Sequence, residues 1–139
     1  TKIVLIGAST GGPGHLKRIL SALPSSFKAS VVIAQHMNSA FIPSFISQFQ
    51  SELPIKVSSI DKTCDLEPSH VYFCPMNCVL HKNHFTLGVE PRPELQTPYN
   101  PNVDTLFLSA VPFVKDAEAS LHALWHNGAH AKTLLCEAG

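Results

Sequence analysis

Apolar runs alternate with helical stripes along the first half of the chain. Residues 3–6 are continuously β-branched or apolar, the pattern of a strand buried on both faces of a parallel sheet. Gly7 is expected to break that strand. Leu16, Ile19, Leu20 and Leu23 follow at helical spacing, with Pro13 where a first helical turn tolerates a missing N–H. Residues 31–34 repeat the buried-strand pattern, and Phe41, Phe45, Phe49 and Leu53 set one apolar stripe along a second helix. Residues 55–60 and 71–73 predict further strands, and 79–81 with 85–87 predict a hairpin turning around Lys82 and Asn83. Residues 89–103 hold four prolines with little periodicity and predict an extended surface loop bordering a site. Residues 104–109 predict a helix and 119–125 a final strand. Ala131, Leu134, Leu135 and Ala138 predict a last helical stripe.

This order of elements predicts an α/β fold: a doubly wound, mostly parallel sheet with helices on both faces, in a Rossmann-like three-layer domain covering residues 1–139. Sites in such sheets lie beyond the carboxyl ends of the strands. Ser9 follows the first strand, His36 the second and Asn127 the last one expected, so the topology predicts that all three share one edge.

Composition removes several classes of function. A chain of 139 residues with 45% hydrophobic content buries one core. Ten Lys and Arg balance ten Asp and Glu, so the basic stripe that grips nucleic acid is missing. No apolar run reaches the length of a membrane span, and the first residues lack the pattern of a secretory signal. The expectation is therefore a cytoplasmic domain without membrane insertion. Four cysteines are expected as reduced thiols.

The segment Gly7-Ala8-Ser9-Thr10-Gly11 satisfies G-x-S-x-G between a strand and a helix, the setting that exposes a nucleophilic serine beside N–H groups free to bind an oxyanion. Against kinship with ordinary α/β-hydrolases, the histidine here precedes the candidate third group. A second reading makes Gly7, Gly11 and Gly12 a phosphate loop, although the glycine spacing is irregular and no acidic residue ends the second strand. A third is a glycine-rich turn with a capping serine. The pentapeptide alone leaves all three open.

Further segments bear on the choice: IGASTGGP at 6–13, AQHM at 34–37 followed by FIPSF, LEPSHVYFCP at 66–75 and NPNVDTLFLSA at 100–110. Together, in this order, they resemble the catalytic domain of the bacterial chemotaxis protein-glutamate methylesterases. The resemblance implies hydrolysis of glutamate methyl esters on methyl-accepting chemotaxis receptors, deamidation of some receptor glutamines, and no cofactor. It implies Ser9 as nucleophile and His36 as general base, with Thr10, Gly11 and Met37 around the oxyanion and substrate. The family's catalytic aspartate falls at Asn127, in a loop whose residues His122, Ala123, Leu124 and Trp125 also depart from the family pattern. A receptor-docking domain with impaired catalysis is therefore the alternative. The family's receiver domain and its segment after the last helix are also not represented, so the chain is expected to be truncated at its carboxyl end.

Cys74, Cys78, His81 and His84 form C-x3-C-x2-H-x2-H, which has zinc-binding residue types. It lacks the long spacer that lets two ligand pairs close on one ion, and strand alternation turns some of these side chains to opposite faces. They are expected to be packing residues, with no metal bound.

Overall fold

The computed structural model describes residues 2–8, 12–24, 26–83, 86–97, 101–113, 120–126 and 129–137. The first half alternates strand and helix: β1 (Lys2–Ala8), α1 (Gly12–Ser21), β2 (Ser30–Gln35), α2 (Ile42–Glu52) and β3 (Lys56–Ser59). Then come β4 (Cys64–Asp65), β5 (His70–Phe73), β6 (Cys78–Lys82), β7 (Leu87–Pro91), α3 (Val103–Ala110), β8 (Ser120–His126) and β9 (Ala129–Glu137). The six-stranded main sheet has the order β3-β5-β2-β1-β9-β8, and a small antiparallel sheet has the order β4-β7-β6. Strands β3, β5, β2 and β1 run parallel to one another, while β9 is antiparallel to both of its neighbours.

Alternation along the central strands divides the core in two. Ile3 and Leu5 of β1, with Val32 and Ala34 of β2, pack against α3 and the small sheet through Leu106, Leu80 and Val89. Ile6 and Ala8, with Val31 and Ile33, face α1 and α2 through Leu16, Leu20 and Phe49. Because both faces are covered, both residue sets must be apolar, which explains the unbroken runs in sequence. On the α2 side, Phe45 sits edge-on to Phe49 and Phe73, with ring centroids 4.6 and 5.3 Å away, a favoured aromatic geometry.

Four expectations from the sequence need correction. Gly7 does not break β1; it continues the strand opposite Ala34. Phe41 is not on the buried stripe of the second helix. It ends a short 3-10 turn, Ser39–Phe41, and is 63% exposed. The helix starts at Ile42, which is buried and lies one turn before Phe45 and Ile46. Of the loop expected at 89–103, residues 89–91 belong to β7 and pair with β6, and Pro101 is buried. Finally, the stripe at Ala131, Leu134 and Leu135 is not helical, and Ala138 lies outside the described residues. Residues 129–137 form β9, whose backbone pairs with β1 on one side and β8 on the other. Two strand neighbours satisfy its N–H and C=O groups as completely as a helix would.

Candidate active site

The carboxyl ends of β1 and β2 lie side by side because the strands pair in parallel register, with Gly7 opposite Ala34 and Ala8 opposite Gln35. One further backbone bond extends the ladder: the His36 N–H donates to the Ala8 carbonyl at 2.9 Å. His36 is thereby fixed beside the end of β1, and its side chain is exposed. Gln35 secures the same point from within. It is 3% exposed, and its Nε2 donates to the His36 carbonyl at 3.0 Å. After half-buried Met37, the chain turns at Asn38, whose Oδ1 accepts from the Ala40 N–H at 3.0 Å. This Asx turn leads into the 3-10 turn and α2.

Gly7 has a different function from the one its setting suggests. A Cβ built there would stand 2.2 Å from Cγ1 and 2.8 Å from Cγ2 of Val103. The glycine lets the first residue of α3 press against β1 one residue before Ala8. It is consumed by packing inside a strand, which removes it from the phosphate-loop reading of Gly7, Gly11 and Gly12. Helix α3 is held in this position by a polar relay. Asn77 is 1% exposed, and its Oδ1 accepts from the Asn102 N–H at 2.6 Å; Asn102 caps α3 by accepting from the Thr105 N–H at 3.0 Å. The sequence reading did not single out Gln35, Asn77, Asn102 or Val103. Asn102 carried a visible signal, an N-cap residue type ahead of an apolar run with Asp104 in the first turn. Asn77 carried none, because its partners lie 18 to 25 residues further along the chain.

Of the residues expected to form the site, His36 and Met37 belong to this strand-end loop. Ser9, Thr10, Gly11 and Asn127 lie outside the described residues. β8 runs parallel to β1 through the intervening β9, and Ala8 pairs with Ala131 near the start of β9. His126, the last residue of β8, thus ends at the same sheet edge as Ala8 and Gln35. His84 of the cysteine and histidine series also lies outside the described residues. Cys74 and Cys78 are buried in the core, and the neighbouring Cys78 side chain, together with burial, pushes the Cys74 thiol well above its usual range. A thiol so raised is a packing group rather than a nucleophile at neutral pH.

Architecture and site layout define a doubly wound α/β domain in which β1 and β2 end side by side, and such folds bind their ligands beyond the carboxyl ends of their strands. The sequence profile described as CheB methylesterase matches residues 4–122. A protein-glutamate methylesterase/protein-glutamine glutaminase of Syntrophus aciditrophicus is 34% identical over 108 residues, covering 78% of this chain and 31% of that protein. A relative with the same description from Nitrosospira multiformis is 33% identical over 150 aligned residues, 99% of this chain and 39% of its own length. The crystal structure of the Thermotoga maritima CheB methylesterase catalytic domain is similar with a TM-score of 0.73 at 29% identity, over 80% of this chain and 60% of that one. The chain belongs to the CheB methylesterase family. It spans 31% and 39% of the length of the two relatives named, and the match to the family profile ends five residues before Asn127.

Proposed function

We propose that this domain is a carboxylic ester hydrolase that removes methyl esters from glutamate side chains of methyl-accepting chemotaxis receptors, with Ser9 as nucleophile and His36 as general base. The observation that carries this reading is the bond from the His36 N–H to the Ala8 carbonyl. It sets the histidine's backbone against the residue that precedes Ser9 in the chain. Family membership and the descriptions of the relatives supply the substrate class, and the same descriptions support deamidation of glutamine side chains as a second activity.

In this reading His36 takes the Ser9 proton as the hydroxyl oxygen attacks the ester carbonyl, and backbone N–H groups of Thr10 and Gly11 receive the oxyanion. Methanol leaves with the proton held by His36, and the glutamyl group stays on Ser9. Water activated by the same imidazole then frees the carboxylate and restores the serine. Met37, directly after the base, lines the approach of the methyl ester. Asn127 is the proposed third member, orienting the imidazole through its side-chain oxygen.

Ser9→Ala tests the reading directly. Methanol release from methylated receptor should fall to background with the cooperative unfolding transition retained, since alanine removes the nucleophilic hydroxyl and adds no bulk. Undiminished release would exclude Ser9 as nucleophile. The departure at Asn127 favours one second reading, a receptor-docking domain with impaired catalysis. That reading expects receptor binding to persist with methanol release near background already in the wild type.

A further inference from the structure

A cleft of about 510 Å³ opens beside β3, the edge strand of the main sheet, and Ser58, Lys62, Glu67, His70 and Tyr72 are among its lining residues. It is distinct from the strand-end site. His70 aligns with Ser30, the first residue of β2, whereas His36 follows the last. Ser58 lies directly opposite Tyr72, and its Oγ is 2.8 Å from Nε2 of His70. His70 itself is 7% exposed and stacks on Tyr72, with ring centroids 4.0 Å apart and planes within 15°. Nδ1 on the far side of the ring lies 3.9 Å from Glu67 Oε2.

We propose that Ser58, His70 and Glu67 form a second nucleophilic site, one that reacts with small uncharged carboxylic esters. The order of groups is the one that activates a serine: a hydroxyl bonded to an imidazole whose other nitrogen faces a carboxylate. Two features keep the ring in the form a base requires. Burial lowers the His70 pKa, with a further lowering from Lys56 and an opposing pull from Glu67. The imidazole is therefore neutral at pH 7. With Ser58 donating to Nε2, the ring proton sits on Nδ1, toward Glu67. The Glu67 backbone is anchored, since its N–H donates to the Tyr72 hydroxyl at 2.9 Å and its carbonyl accepts from the Ser30 hydroxyl at 2.7 Å, while its carboxylate reaches toward His70 from the solvent-exposed side.

The reaction balances within the site. As the Ser58 oxygen bonds to the acyl carbon, its proton passes to His70 Nε2, and the resulting imidazolium is attracted to Glu67. The ester C–O bond then breaks, the alcohol departs with the proton from Nε2, and water later hydrolyses the acyl-serine by the reverse relay. Lys62 lines the same cleft and adds a positive charge to it, while Asp61, Asp65 and Glu67 repel anionic substrates. The class is accordingly an uncharged ester.

The experiment uses the full chain carrying Ser9→Ala, so that its result is independent of the strand-end site. The protein is treated with a fluorophosphonate probe and the adduct is located by peptide mapping, with p-nitrophenyl acetate hydrolysis as the second readout. A phosphonyl adduct on Ser58 is expected, absent in the Ser58→Ala variant and formed about 100-fold more slowly in His70→Gln, the lower bound for loss of a general base. The labelling rate should also fall as pH is lowered, with its midpoint below the ordinary histidine value, as protonation of His70 removes the base. No adduct on Ser58, or a labelling rate flat from about pH 4 to about pH 8, overturns the proposal even if His70→Gln fails to fold.

Discussion

At Gly7 a single hydrogen atom decides how closely a helix approaches the central strand. The Val103 methyl groups occupy the space that any Cβ would need, and the strand cannot yield because Gly7 is paired on both sides, with Ala34 and Lys132. Gly7→Ala should therefore push α3 outward and destabilise the domain by about 1–3 kcal/mol, the usual range for overpacking. Thermal unfolding measures this. Adding Val103→Ala removes both methyl carbons that collide, leaving only the Val103 Cβ at 3.0 Å, so the double variant should recover part of the loss. A double variant no more stable than Gly7→Ala alone would show that the collision is not the cause. The residue pattern made this glycine visible but gave it a different role. A glycine after an apolar run signals a turn from local conformation, whereas the requirement here comes from the side chain of Val103, far along the sequence. His36 was legible for the opposite reason, because its placement follows from the strand it terminates.

The elements read best from sequence were those whose burial has one dominant direction. β1 and β2 are apolar on both faces and α1 carries a single apolar stripe, so an unbroken run marks the two strands and a helical period marks the helix. The hairpin of β6 and β7 was visible in its flanking apolar residues, although β4, two residues long, left no periodic trace. The last strand was misread because Ala131, Leu134, Leu135 and Ala138 stand at helical intervals. The better signal was the Asn127-Gly128 dipeptide between β8 and β9, a favoured two-residue hairpin connection. Between elements, the decisive residue is Asn77. Its Nδ2 donates to the Leu95 carbonyl at 2.9 Å and to Thr97 Oγ1 at 3.0 Å, while its Oδ1 holds the N-cap residue of α3. One buried amide thus ties the start of β6 to the Pro-rich segment and to the helix that rests on Gly7. Asn77→Ala should cost about 2–4 kcal/mol, since several bonds are lost together and buried partners are left unpaired. Asn77→Asp keeps the acceptor for Asn102 but loses both donors, so it should restore little of that stability in denaturant titrations. Stability equal to wild type in either variant would remove Asn77 from this role.

On the scale of the whole molecule, parallel pairing and the β8–β9 hairpin bring the ends of β1, β2 and β8 to one sheet edge, and this gives Asn127 two competing roles. As the proposed third member of the site it would orient His36 without the charge that stabilises an imidazolium; in the serine-protease template an Asp-to-Asn change costs about 10⁴ in turnover. As the first residue of an Asn-Gly hairpin connection it would serve the backbone, since asparagine tolerates positive φ better than most residues. Two substitutions separate these roles. Under the catalytic role, Asn127→Asp should raise methanol release several-fold or more at unchanged receptor binding. The gain should stay below the template value because the neighbouring Leu124 and Trp125 also differ from the family pattern. Asn127→Ala should then lower turnover and leave the melting temperature in place. Under the hairpin role, Asn127→Asp is silent in both assays, because Asp-Gly also suits such a connection, whereas Asn127→Ala lowers stability by about 1 kcal/mol, because alanine bears a positive φ less well than asparagine does. The proposed triad is retained only if Asn127→Asp accelerates methanol release. If it does not, and Asn127→Ala lowers the melting temperature, the charge that supports His36 must come from another group.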